Sequence, residues 1–148
     1  MTTKTTINFD MDGTIADLYG VNGWLADLEN ENTRPYDEAR PLLRFATLAR
    51  LLNNLQRKGY KIAVISWLAK KGTPAYDRKV TTSKMAWLKK HLPSVKWDNI
   101  TIVPYGTPKE KFLNTTNDIL FDDEQKNREN WKGVAYDVNN ILGILKTL

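Results

Sequence analysis

The stretch Tyr60-Lys61-Ile62-Ala63-Val64-Ile65-Ser66 is a short, almost continuous apolar run rich in β-branched residues. A strand that is apolar on both sides of its pleat must be covered on both faces, which predicts a buried parallel sheet. Similar short runs recur along the chain. Lys4–Asp10, Ile100–Val103, Asp118–Asp123 and Gly133–Tyr136 read as further strands. Between them lie helical stretches. Pro41 suits a first helical position, and Leu42, Phe45, Leu48, Leu52 and Leu55 form one apolar stripe ending before Gly59, a left-handed cap. Thr82 or Ser83 predicts the cap of a second helix running to about Leu92, with Met85, Leu88 and Leu92 inward. A short helix follows Gly106-Thr107-Pro108, another spans Glu124 to Trp131, and a last amphipathic one lies near Ile141–Leu145.

Strands separated by helices imply parallel pairing through right-handed crossovers, hence an α/β sandwich. With 148 residues the chain is long enough to bury one core, so residues 1–148 are expected to form a single domain. The exception is Ile15 to Glu38. Gly20 and Gly23 break its aromatic start, and Asp27–Asp37, with Asn30, Asn32 and Pro35, reads as a loop. Residues of about 16–38 are therefore predicted to be a small insertion over a strand tip.

In open parallel sheets ligands bind beyond the carboxyl ends of the strands. Three predicted strands end in residues that are poor core and good chemistry: Asp10, Ser66 and Asp122. The first continues as Asp10-Met11-Asp12-Gly13-Thr14, where period-2 alternation puts both carboxylates on one side and Gly13 brings backbone N–H groups close to whatever binds. Asp10 can attack phosphorus as a carboxylate nucleophile, and Asp12 can protonate the leaving oxygen and then activate water. A hard Mg²⁺ ion takes oxygen ligands, which Asp10 with Asp122 or Asp123 can supply. A lysine would neutralise the phosphoryl oxygens, and the Ser66 hydroxyl would donate to them.

Composition narrows the classes. Apolar residues are 41% and charged residues 26%, and there is no cysteine, which excludes disulfides and thiolate metal sites. No apolar run approaches the ~20 residues of a membrane span. Met1-Thr2-Thr3-Lys4 has no apolar leader, so a cytoplasmic protein without membrane partners is expected. The net charge of +5 is unevenly placed: Asp10–Glu38 holds eight acidic residues and one basic, and Arg57–Lys90 holds ten basic and one acidic. That asymmetry suits a phosphate-bearing ligand between a basic wall and an acidic metal site. His91, Trp87 and Trp97 read as structural residues, and no aromatic spacing suggests an RNA-binding sheet.

Asp10-Met11-Asp12-Gly13-Thr14, Ser66 after its apolar run, Lys109 and Asp122-Asp123 resemble, in that order, the four motifs of the haloacid dehalogenase superfamily. The closer likeness is to the 5′(3′)-deoxyribonucleotidases, through Ala16-Asp17-Leu18-Tyr19 and Ser83–Leu92. The resemblance implies a Rossmann-like three-layer sandwich with a central parallel sheet and a very small cap. It implies a Mg²⁺-dependent phosphomonoesterase working through an aspartyl-phosphate, with a nucleotide or another small phosphate ester as substrate. Asp10 is then the nucleophile, Asp12 the acid/base, and Ser66 and Lys109 complete the catalytic set. The metal falls to Asp10, the Asp12 carbonyl and the pair Asp122 and Asp123. Gly13, Thr14, Leu18, Trp67 and Lys70 become candidate substrate contacts. Lys111 and Lys84 are the alternatives to Lys109. The segment between Asp12 and Ser66 is shorter than the family's helical cap, which leaves room for larger phosphorylated substrates, nucleic-acid ends included. A basic nucleic-acid-binding protein that keeps the fold without turnover is the rival from another class.

Overall fold

The computed structural model describes residues 4–148. Met1–Thr3, in which no apolar leader is expected, lie outside the described residues. In chain order the elements are β1 (Thr6–Phe9), β2 (Ala16–Asp17), α1 (Trp24–Glu29), α2 (Arg34–Glu38), β3 (Arg40–Pro41), α3 (Phe45–Arg57), β4 (Lys61–Trp67) and α4 (Pro74–His91). There follow β5 (Asn99–Val103), a 3-10 turn (Lys109–Phe112), β6 (Ile119–Phe121), α5 (Gln125–Asn130), β7 (Val134–Tyr136), a second 3-10 turn (Val138–Asn140) and α6 (Ile141–Lys146).

Among the described residues five strands form one parallel sheet in the order β5-β4-β1-β6-β7. The chain builds outward from β1 through β4 to β5, then returns to lay β6 on the other side of β1. Strand order therefore reverses at β1, the position at which a doubly wound sheet opens a crevice. Register aligns Ile7, Ile62 and Ile119 in one row and Phe9, Val64 and Phe121 in the next. These rows pack against Leu48, Leu52 and Leu55 of α3, Trp87 and Leu88 of α4, and Ile141 and Leu145 of α6. On the other face Ile65 and Leu120 meet Trp131, Phe112 and Leu113 from the α5 and 3-10 segments. The predicted α/β three-layer arrangement with a central parallel sheet is thus what the chain forms.

Several boundaries differ from the expectation. Pro41 does not open a helix. It pairs with Ala16 in the two-residue ribbon β2–β3, the Leu42 N–H donates to the Ile15 carbonyl at 2.9 Å, and Leu42 is 44% exposed rather than on the α3 stripe. The helix at α4 starts at Pro74, not at Thr82 or Ser83. Thr73 caps it, its hydroxyl accepting from the Tyr76 N–H at 3.2 Å with Pro74 at the first helical position, a pairing that suits a helix start better than a loop. Thr82 lies inside the helix and donates back to the Arg78 carbonyl. Met85, expected inward, is 44% exposed.

Asp27–Asp37 is mostly helical rather than loop. Pro35 sits in the first turn of α2, where its missing N–H costs no helical bond. Arg34 gathers the segment: its Nε donates to Asp27 Oδ2 at 2.7 Å, Nη1 to Glu38 Oε2 at 2.8 Å and Nη2 to the Asn22 carbonyl at 2.6 Å. The segment is tied to α4 at two points. The Glu31 carboxylate accepts from the Thr73 N–H and hydroxyl, and the Tyr76 hydroxyl donates to the Asn32 carbonyl.

Candidate active site

β1, β4 and β6 all end at the same edge of the sheet, and the residues that follow or close them are Asp10, Ser66 and Asp122. Immediately after β1 the chain folds back on itself. The N–H groups of Thr14, Ile15 and Ala16 all donate to the Met11 carbonyl at 2.9–3.1 Å. Gly13 makes this possible with φ +82°, and a Cβ there would lie 2.3 Å from Asp123 Oδ2, so only glycine fits. Because β1 stops at Phe9, the period-2 argument for Asp10 and Asp12 does not govern the loop. Both carboxylates face one cavity, yet each is held by a different lysine.

Lys109, 1% exposed, comes from the 3-10 turn on the α5 side of the sheet. Its Nζ donates to Asp10 Oδ1 at 2.8 Å and Asp122 Oδ2 at 2.7 Å. Lys84, also 1% exposed, comes from α4 on the opposite layer. Its Nζ donates to Asp12 Oδ2 at 2.9 Å, Ser66 Oγ at 2.6 Å and the Trp67 carbonyl at 2.7 Å. The structure therefore puts Lys109 beside the first-strand aspartate and the acidic pair, gives Lys84 a separate post at Asp12 and Ser66, and leaves Lys111 exposed. The remaining Asp10 oxygen accepts from the Thr14 hydroxyl at 2.9 Å, and that hydroxyl accepts from the Asp123 N–H at 3.2 Å. Asp122 also accepts from Asn127 Nδ2 at 3.1 Å and the Glu124 N–H at 2.9 Å.

Carboxylate oxygens of Asp10, Asp122 and Asp123 lie within 4.8 Å of one another. Burial raises Asp122 to about 6, Asp10 adding to the rise and Lys109 opposing it. Burial likewise raises Asp123 to about 8, with a hydrogen bond to the Asp10 carboxylate and the charge of Asp10 contributing. Asp12 is raised too, by burial foremost, with Lys84 opposing. Burial alone would lower Lys109, but Asp10 and Asp122 outweigh it and its pKa rises. Converging carboxylates that one buried ammonium does not fully offset form an all-oxygen donor set, the chemistry that a hard divalent cation requires. These residues fit Mg²⁺.

The cavity in front of them has a volume of about 420 Å³, within the range of small-molecule sites. Asp10, Asp12, Asp122, Asp123 and Lys109 form its floor, and Leu18, Trp67 and Lys70 line it as candidate contacts. Gly13, Thr14 and Ser66 do not line it. Gly13 and Thr14 stand behind Asp10 and Asp123 as spacers, and Ser66 is fully buried beneath Lys84. Tyr19, Trp24, Leu28 and Tyr36 of the insertion and Tyr105 after β5 also line the cavity. Of these, only Tyr19 carried a signal in the sequence, as part of the stretch Ala16-Asp17-Leu18-Tyr19. No helix among the described residues is long and apolar enough to cross a membrane.

A family model described as 5′ nucleotidase, deoxy (Pyrimidine), cytosolic type C protein matches residues 47–142, from α3 to the start of α6. Among solved structures, D,D-heptose 1,7-bisphosphate phosphatase from B. bronchiseptica, complexed with magnesium and phosphate, superposes with a TM-score of 0.54 at 12% identity, covering 88% of this chain and 78% of that one. The enzyme of the same name from Burkholderia thailandensis gives 0.52 at 15% identity, covering 85% and 70%. At these identities the likeness is one of fold. No curated protein sequence matches the chain significantly.

Proposed function

Because the chain belongs to the cytosolic type C 5′-deoxynucleotidase family of haloacid dehalogenase phosphatases, we propose that it is a Mg²⁺-dependent phosphomonoesterase of nucleotides acting through an aspartyl-phosphate. The observation that carries this reading is the convergence of Asp10, Asp122 and Asp123, the first two bonded to Lys109, with Asp12 held on Lys84, at the floor of one cavity.

Asp10 is the nucleophile. Lys109 and Thr14 grip its two oxygens, which fixes the carboxylate plane before substrate arrives. An Asp10 oxygen attacks phosphorus as the ester P–O bond breaks, and Asp12 delivers its proton to the leaving oxygen. Asp12 then takes a proton from water, which attacks the same phosphorus and frees Asp10. A pKa raised by burial is the direction such an acid needs. Asp10, Asp122, Asp123 and the Asp12 carbonyl would hold Mg²⁺, which supplies charge neutralisation for the phosphoryl oxygens when bound. Ser66 acts from beneath, orienting the Lys84 ammonium. The chain works as one domain, with residues 16–38 as a small cap whose Tyr19, Trp24 and Leu28 close over sugar and base.

The test is phosphate release in Mg²⁺ from a panel of nucleoside monophosphates and sugar phosphates. Turnover is expected with nucleotides and a loss of at least about a thousandfold in Asp10→Asn. Activity that survived in Asp10→Asn would remove Asp10 as nucleophile.

A further inference from the structure

The cavity carries two aromatic surfaces, and a mononucleotide needs only one. The first belongs to the cap, where Tyr19 and Trp24 meet edge to face at 4.9 Å. The second lies at the end of the sheet nearer β5. There Trp67, its Nε1 pinned to the Thr107 carbonyl at 2.8 Å, packs against Tyr105 at 5.0 Å between ring centres. Neither ring belongs to an apolar cluster of the described residues, and Tyr105 is 52% exposed, so core packing does not account for the pair. Cations bracket it. Lys109 Nζ lies 5.3 Å from the Trp67 ring centre on the inner side and Lys70 Nζ 5.7 Å from that of Tyr105 on the outer side. From the nucleophile outward the order is therefore Asp10, Lys109, Trp67, Tyr105, Lys70. Lys71 also lines the mouth, as do Glu29 and Glu124, and exposed Arg78, Lys79, Lys89 and Lys90 stand farther along α4. A ring pair that ends in exposed Tyr105, with Lys70 and Lys71 beside it at the mouth, matches single-stranded nucleic acid, whose bases stack and whose phosphates recur at each step.

We propose that this site accepts the phosphorylated end of a single-stranded oligonucleotide. The terminal nucleotide fills the inner cavity, the next base stacks on Tyr105, and the phosphate between them lies beside Lys70 and Lys71. This rests on the phosphatase reading above and extends its substrate class.

The experiment compares kcat/KM for thymidine 5′- and 3′-monophosphate with 5′- and 3′-phosphorylated tetrathymidylate. For at least one polarity the tetramer is expected to exceed its monomer by about tenfold, the lower range of one base–aromatic stack. Tyr105→Ala should erase that preference and Tyr105→Phe should keep it. Raising salt from 50 to 200 mM should weaken the tetramer more steeply than the monomer. Preference for the monomers at both polarities, or an equal loss on both substrates in Tyr105→Ala, overturns the inference while the phosphatase reading stands. No phosphate from any of the four substrates overturns both.

Discussion

Lys84 has 1% of its surface exposed and three N–H bonds to satisfy, and it finds Asp12, Ser66 and the Trp67 carbonyl. Truncating such a lysine does more than delete an ion pair. It leaves the Asp12 carboxylate and the Ser66 hydroxyl without their donor in a site that water reaches poorly. Lys84→Met is expected to lose about 3 kcal/mol in urea unfolding, and Asp12→Asn in that background to recover part of the loss. An unchanged midpoint would show that the pair holds nothing in place. Residues of this kind were unevenly legible. Asp10, Lys109 and Asp122 follow turns or apolar runs, so their types and order alone suggested convergence. Lys84 sits among ordinary helix residues, in a segment with lysines on both sides, and nothing in its own type or spacing marks it as buried. Its partners become visible only when α4 is laid on β4.

At the scale of elements, the sheet was legible because parallel strands demand apolar side chains on both faces, and few other structures do. The end of α3 was legible for an equally local reason. Gly59 takes φ +105°, its N–H donates to the Gln56 carbonyl and that of Tyr60 to Leu55, a left-handed termination that satisfies two free carbonyls. No atom lies within 4 Å of a Cβ placed at Gly59, so the cost of a side chain there is conformational and not steric. Gly59→Ala should therefore destabilise by about 1 kcal/mol, read as a lower urea midpoint with an unchanged slope. Helices α1 and α2 escaped the sequence because neither carries a long apolar stripe. Their order comes from Arg34 reaching Asp27, Glu38 and Asn22, and from Glu31 fastening the segment to Thr73. Such long-range polar ties leave only a charged, Asn- and Pro-bearing string in the sequence, which resembles a loop. His91 was legible as structural, but its partners, the rings of Trp87 at 4.6 Å and Phe45 at 6.2 Å, come together only when α3 is laid beside α4.

For the whole molecule, a net charge of +5 conceals an acidic centre assembled from the two ends of the chain. Asp10 and Asp122 are more than a hundred residues apart in sequence, and only folding brings their oxygens, with those of Asp123, within 4.8 Å. An unfolded chain offers a divalent cation no comparable cluster, so a cation that binds here binds the native state and stabilises it by mass action. At a hundred times its dissociation constant Mg²⁺ contributes about 2.7 kcal/mol. For a chain of this size that corresponds to a rise of roughly 5–10 °C in Tm. The rise should disappear with EDTA and should not be reproduced by NaCl at equal ionic strength, since screening alone acts weakly on buried charges. Asp123→Asn separates the site from general salt effects, because it removes one ligand from the cluster while leaving Lys109 paired with Asp10 and Asp122. Its melting temperature should respond to Mg²⁺ much less than that of the parent chain. An equal response in both would place the bound ion elsewhere on the molecule and detach the acidic cluster from the metal.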